Sequence, residues 1–121
     1  MKPNFNNYHN PLNINCPQDY VKVDRVIYDG TAQNGSEDFS IAVILWKEAP
    51  TLAVRWNLTM REELDKDKKN NIKKCMGIPV SFAHPVWFVL PRVMHGAILT
   101  SIINIANHTD VEYAKSLLNI E

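Results

Sequence analysis

Two histidines, His84 and His95, lie on either side of Pro91 in the most apolar stretch of the sequence. A histidine pair titrates near neutral pH and can act as acid, base or ligand. We expect the chain to reverse at Pro91, so that both rings could face one cleft together with Trp87, with Arg55 as a further ligand-binding candidate. The favoured alternative is two surface or boundary histidines, because clusters of perturbed groups mark functional sites.

A second candidate site joins a cation to an aromatic ring. Arg55 and Trp56 are neighbours in a predicted strand, and a lysine-rich stretch begins at Lys66. Such side chains on an open sheet can bind single-stranded nucleic acid. The 13 basic and 13 acidic residues cancel, however, so we do not expect a nucleic-acid partner on electrostatic grounds. We favour tryptophans that anchor the core or a subunit interface.

No metal site is predicted. Asp65 and Asp67 are spaced as at the start of a calcium-binding loop, but Asn70 replaces the glycine and Met76 replaces the final glutamate of that pattern. The short motifs of nucleotide-binding proteins, zinc proteases and serine hydrolases are also absent from the sequence. We therefore predict no catalytic residue, no metal and no cofactor, and we favour a non-catalytic role while leaving an enzyme open.

The composition indicates one ordinary globular domain. The chain has 121 residues, of which 45% are hydrophobic and 21% charged. We expect a partly ordered N-terminal arm over residues 1–17 and a single domain over 18–121. The arm lacks the apolar core of a secretory signal, and the run Val93–Ala106 is shorter than the roughly 20 residues that cross a bilayer. We predict a soluble cytoplasmic protein with reduced thiols at Cys16 and Cys75.

Alternating apolar residues predict three strands, Tyr20–Tyr28, Phe39–Trp46 and Thr51–Asn57, with the last two joined as a hairpin by Lys47–Pro50. The second strand is apolar on both faces, so it must be covered on both faces. A helix could cover one face, and a second subunit could cover the other. We expect the following residues of that other face to be buried: Ser40, Ala42, Ile44 and Trp46.

The remainder predicts a charged insert, one more strand and two helices. In the insert, residues 58–76, Thr59 and Glu62 have the spacing of a capping box. Residues 77–90 alternate as a strand that lies at a sheet edge or bends at Pro85, because its prolines remove ladder donors. A long helix should follow Pro91 and a short one should begin near residue 109. The fold class is therefore α+β, an antiparallel sheet of about four strands with both helices on one face.

The sequence favours a non-catalytic binding or interaction module that acts as a homodimer. The first alternative is a small-molecule-binding cup, or a small enzyme, with its pocket between sheet and helix. The second alternative is single-stranded nucleic-acid binding through Arg55, Trp56 and Lys66.

Overall fold

The computed structural model describes residues 7–33 and 37–120. Within these residues, six strands and four α-helices follow each other in the order β1, β2, β3, α1, α2, β4, β5, β6, α3, α4. The strands are β1 (Val21–Asp29), β2 (Phe39–Trp46), β3 (Ala49–Trp56), β4 (Val80–Ser81), β5 (His84–Pro85) and β6 (Phe88–Val89). The helices are α1 (Met60–Glu63), α2 (Lys66–Lys69), α3 (His95–Ser101) and α4 (His108–Leu117).

The main sheet is antiparallel, with strand order β1-β2-β3-β6, and the predicted α+β class is confirmed. The β2–β3 hairpin turns on two residues, Lys47 and Glu48, whose φ angles are 49° and 71°. The predicted four-residue connection was too long, because Ala49 and Pro50 already pair with β2. Two consecutive left-handed residues are the usual backbone of a tight hairpin turn, even though neither residue is glycine.

Two cores enclose β2. On one face, Ile41 and Val43 pack with Leu52 and with residues of α3 and α4. On the other face, Ala42 and Ile44 pack with a second set of side chains: Ile14, Val21, Val23, Ala53 and Trp87. Burial of the second face is confirmed for Ser40, Ala42 and Ile44, which are 0% exposed, whereas Trp46 at the end of the strand is 38% exposed.

The chain itself covers the face for which a second subunit was considered. Ile14 belongs to the second core, and the backbone oxygen of Ile14 accepts a hydrogen bond of 2.9 Å from Trp87 Nε1. Asn15 Oδ1 accepts one from the backbone N–H of Val23. Ile14 and Asn15 of the predicted arm thus lie against their own sheet, while residues 1–6 of that arm lie outside the described residues.

The stretch predicted as one edge or bent strand consists of a small hairpin, β4–β5, followed by β6, which lies at the edge of the main sheet. Proline cannot donate to a strand ladder, and Pro79 and Pro85 lie at the start and end of the hairpin. The tip residues Phe82 and Ala83 have φ angles of 49° and 62°, and the Phe82 side chain is 96% exposed.

The two C-terminal helices differ in length from the prediction: α3 has seven residues and α4 has ten. The end of α3 carries Thr100 and Ser101, whose hydroxyls donate to the backbone oxygens of Gly96 and Ile98. Such bonds and the β-branched isoleucines that follow weaken a helix. After Ser101, residues 102–105 therefore form turns and do not continue the helix. Within 7–33 and 37–120, no helix is long and apolar enough to cross a membrane.

The capping box of the charged insert is present. Thr59 caps α1, and its backbone N–H donates to Glu62 Oε1. The same carboxylate accepts hydrogen bonds from the backbone N–H groups of Met76 and Gly77 and from Lys68 Nζ. Burial alone would raise the pKa of the Glu62 carboxyl, but these hydrogen bonds outweigh burial and lower the pKa. The Glu62 carboxylate therefore binds backbone N–H groups from both ends of the insert.

Candidate functional site

An open apolar groove lies between α3 and the strands β2, β3 and β6. We call it the apolar groove, and its volume is about 580 Å³. Its lining is aliphatic and aromatic: Phe39, Ile41, Val54, Trp56, Ile78, Pro79, Phe88, Ile98, Ile102 and Ile105. Three polar residues join them: Glu37, Arg55 and Ser101.

Strand register and helical spacing build the apolar groove. Phe39 pairs with Trp56 and Ile41 pairs with Val54, so these four side chains share the face that α3 covers. Ile98, Ile102 and Ile105, from the stretch predicted as a long helix after Pro91, supply the opposite wall. Because α3 ends at Ser101, the wall continues on turns and does not close over the sheet. The mouth consequently exposes large apolar side chains: Trp56 at 42%, Ile78 at 50%, Phe88 at 57% and Ile105 at 51%.

A second cavity of about 400 Å³ adjoins the apolar groove and shares Glu37, Trp56 and Ile78 with it. We call it the acidic end. Its described lining adds three apolar or neutral residues from the start of the charged insert, Leu58, Thr59 and Met60, and two further carboxylates, Asp38 and Glu63.

A buried polar cluster fixes the acidic end to β3. Asn57 donates through Nδ2 to Asp29 Oδ1 at 3.0 Å and accepts from the Ser40 hydroxyl at 3.0 Å. The backbone N–H of Asn57 donates to the backbone oxygen of Asp38 at 2.8 Å, and the Thr31 hydroxyl donates to the Asp38 side chain. Since buried polar groups are held by such pairing, Asp38 has a defined position beside Asn57.

Arg55 acts as a clamp under the apolar groove. The residue is 3% exposed, and its guanidinium donates to the backbone oxygens of Met76, Pro79 and Val86. Burial lowers the pKa of Arg55 to about 10, so the side chain stays cationic at neutral pH. Its Nε has no hydrogen-bond partner among the described residues. Arg55 therefore holds the segment that carries Ile78 and Pro79 against β3. The charged guanidinium group already donates to these three backbone oxygens.

The other three predicted ligand-binding residues lie apart from the apolar groove. Trp87 is 7% exposed in the second core. His95 is 4% exposed, with Nε2 at 3.1 Å from the backbone oxygen of Leu90, and it lines a separate cavity of about 260 Å³. His84 is exposed on β5. Within the part of the chain that the structure describes, these cavities do not bring the predicted residues together in one cleft.

The predicted nucleic-acid residues also separate. Arg55 and Trp56 are consecutive in β3 and so project to opposite faces of the sheet. Lys66 begins α2 in the charged insert and is exposed. Trp56 lines the acidic end together with Glu37, Asp38 and Glu63, and carboxylates there do not favour phosphate groups.

Reasoning from the sequence identified one wall of the apolar groove and missed the other. The long helix after Pro91 was predicted to lie on one face of the sheet, but Phe39, Ile78 and Phe88 were not singled out as residues of a site. Their signal was present in the alternation of apolar residues, which places Phe39 on one face of β2. The pairing of β3 with β6, which brings Phe88 to this face, depends on long-range contacts that no local pattern encodes.

Among residues 7–33 and 37–120, no group of three or more histidine, cysteine, aspartate or glutamate side chains could hold a metal ion. Comparison with models of protein families, with curated proteins and with solved structures gives no match of any of the three kinds.

Proposed function

We propose that this chain is a non-catalytic binding protein that holds a small, mostly apolar molecule in the apolar groove. One observation carries the proposal: a cavity of about 580 Å³ between sheet and helix has an almost entirely apolar lining with few polar groups. Ligand sites are commonly clefts of roughly 300–1,000 Å³ with this kind of lining. A cavity in this position supports the first alternative from the sequence, a small-molecule-binding cup between sheet and helix.

The exposed mouth of the apolar groove supplies the driving force for ligand binding. Trp56, Phe88 and Ile105 are each more than 40% exposed at its rim, and covering such apolar surface is favourable by roughly 25 cal/mol per Å². Because a water molecule takes about 30 Å³ in the liquid, the 580 Å³ of the apolar groove correspond to about 20 non-hydrogen atoms. At about 0.3 kcal/mol per atom, such a ligand would bind with a Kd of roughly 40 µM.

A second copy of this chain is the competing occupant, and the homodimer stays a prediction. Its first argument was the two-sided strand β2, and that strand is covered on both faces within one chain. The exposed mouth of the apolar groove is a new argument for a second copy, since large exposed apolar patches commonly mark interaction sites.

The test uses N-phenyl-1-naphthylamine, a neutral probe whose fluorescence rises in apolar surroundings. We expect saturable binding by the wild-type chain and loss of binding in Ile105→Asp. The matched control is Leu12→Asp, because Leu12 and Ile105 are both 51% exposed but Leu12 lies outside the apolar groove. Circular dichroism shows whether both variants are folded.

Two results would count against the proposal. Absence of saturable probe binding by a folded monomer would contradict it directly. If light scattering instead shows a dimer that Ile105→Asp dissociates and Leu12→Asp does not, a second copy occupies the apolar groove and the small-molecule proposal is wrong.

A further inference from the structure

The cavity of about 260 Å³ that contains His95 is separate from the apolar groove, and we call it the histidine cavity. Three segments meet there: the start of β3, the residues that lead into α3, and the end of α4 with the residues after it. Its described lining shares no residue with the apolar groove or the acidic end, and it contains no carboxylate. The lining residues are Pro50, Thr51, Arg92, His95, Leu117, Leu118 and Asn119.

The ring of His95 has a defined orientation in the histidine cavity. The residue is 4% exposed, and its Nε2 lies 3.1 Å from the backbone oxygen of Leu90 and 3.4 Å from Thr51 Oγ1. Because a backbone oxygen can only accept, Nε2 of the neutral ring carries the proton and Nδ1 is an unprotonated acceptor. Among the described residues, His95 Nδ1 has no hydrogen-bond partner, and Arg55 Nε is the one buried side-chain atom in that condition. His95 Nδ1 is therefore accessible from the histidine cavity.

Arg92 supplies a positive charge to the same cavity. It is exposed, and the ion pairs found between described residues do not include it. A guanidinium group keeps its charge and presents five N–H donors. The hydroxyl of Thr51 and the amide of Asn119 add neutral hydrogen-bonding groups to the lining. The histidine cavity thus combines an available cation with one accessible, unprotonated acceptor.

We propose that the histidine cavity binds a small oxyanion that also carries an O–H group, of which hydrogen phosphate is the simplest. Arg92 donates to its unprotonated oxygens, and His95 Nδ1 accepts from its O–H. An anion without an O–H would instead place an oxygen lone pair against the lone pair of Nδ1. Since a water molecule takes about 30 Å³ in the liquid, the volume of about 260 Å³ is enough for phosphate and several water molecules. This site is independent of the apolar groove and of its proposed ligand.

The test follows the ring C–H signals of the histidines by NMR while sodium phosphate is added at pH 8 and constant ionic strength. We expect the His95 signal to shift saturably, with a Kd on the order of 1 mM for so small a ligand. The signals of His9, His84 and His108 should stay in place, because these residues do not line the histidine cavity. Sulfate is the matched probe, since it has the shape of phosphate but no O–H at this pH. It should bind roughly tenfold more weakly than phosphate.

Variants assign the two roles, with the backbone amide signal of Asn119 as the reporter of binding. Arg92→Gln should weaken phosphate binding roughly tenfold, because a charge-assisted hydrogen bond is lost. Arg61→Gln is the matched control, since Arg61 is an exposed arginine that lines none of the three cavities. In His95→Gln the amide N–H₂ can still donate to the Leu90 oxygen, but nothing replaces Nδ1. Phosphate and sulfate should therefore bind this variant equally well.

Four results would overturn the proposal: no saturable shift of the His95 signal with phosphate, equal affinity of the wild-type chain for phosphate and sulfate, a preference for phosphate that persists in His95→Gln, or equal weakening by Arg92→Gln and Arg61→Gln. The competing occupant is the carboxylate of Glu121, which follows the lining residues in the sequence and lies outside the described residues. Phosphate binding by Glu121→Gln but not by the wild-type chain would assign the histidine cavity to that carboxylate and would also overturn the proposal.

Discussion

Replacing Glu62 by glutamine should destabilise the charged insert and the wall of the apolar groove that it holds. In the wild-type chain, Oε1 accepts from the backbone N–H groups of Thr59 and Gly77, each at 3.0 Å. Oε2 accepts from the Met76 N–H and from Lys68 Nζ, each at 2.8 Å. Glutamine can keep one pair of bonds, but its amide N–H₂ group then faces two donors.

The cost follows from those bonds. Two hydrogen bonds to a charged group are lost, at about 1.5 kcal/mol each. Relief from burying a carboxylate offsets part of this loss, because the Glu62 side chain is 9% exposed. We expect a net destabilisation of about 2 kcal/mol. With a urea m-value of about 1.5 kcal/mol/M, the unfolding midpoint should fall by about 1.3 M.

The pH dependence gives an independent check. Because the pKa of Glu62 is lower in the folded chain than its ordinary 4.5, ionisation of Glu62 stabilises the fold above that value, and this contribution disappears as pH falls toward the folded pKa. The wild-type chain should therefore lose more stability than Glu62→Gln between pH 6 and 3. The two chains should converge in acid, and Glu112→Gln should behave like wild type throughout.

Equal urea midpoints for wild type and Glu62→Gln at pH 7 would refute this reasoning. So would a constant stability difference between them down to pH 3, because the hydrogen bonds would then not depend on the charge of Glu62.

Three further predictions concern the rest of the fold. Replacing Lys47 and Glu48 by Asn-Gly should stabilise the β2–β3 hairpin by about 1–2 kcal/mol, because both positions have positive φ; an unchanged urea midpoint would contradict this. Iodoacetamide at pH 8 should alkylate Cys16 well before Cys75, which is 0% exposed and whose pKa burial raises to about 11; mass spectrometry of the peptides measures both rates. Trp87→Phe should lower the free energy of unfolding by about 2 kcal/mol, since a buried backbone oxygen loses its 2.9 Å hydrogen bond. Thermal unfolding measures this loss, and an unchanged stability would contradict the prediction.

Local sequence patterns predicted those elements that are determined by residues close together in the sequence. The strand Phe39–Trp46 was predicted with the bounds that the structure gives it, because apolar residues on both faces admit few other interpretations. The Thr59–Glu62 capping box was also predicted, since both of its hydrogen bonds form within four residues. The start of the last helix near residue 109 follows from equally local signals, although Asn107 is the capping residue.

Features that depend on contacts between residues far apart in the sequence were not predicted. Trp87 is buried in the second core with Ile14, more than 70 residues earlier in the chain, and no residue near Trp87 in the sequence predicts that contact. Arg55 was expected to be available for a ligand, but its three acceptors come from the segment between Met76 and Val86. The apolar groove likewise combines Phe39, Trp56 and Phe88 through strand pairing, which the sequence pattern does not specify.

The binding surface is tested most directly by following the three tryptophan indole N–H signals of the ¹⁵N-labelled chain during titration with N-phenyl-1-naphthylamine. We predict that the Trp56 signal shifts saturably, because Trp56 lines the apolar groove. The signals of Trp46 at the far end of β2 and of Trp87 in the second core should stay in place. A Trp56 signal that does not move at saturating probe, or equal shifts of all three signals, would contradict the assignment of the apolar groove as the binding site.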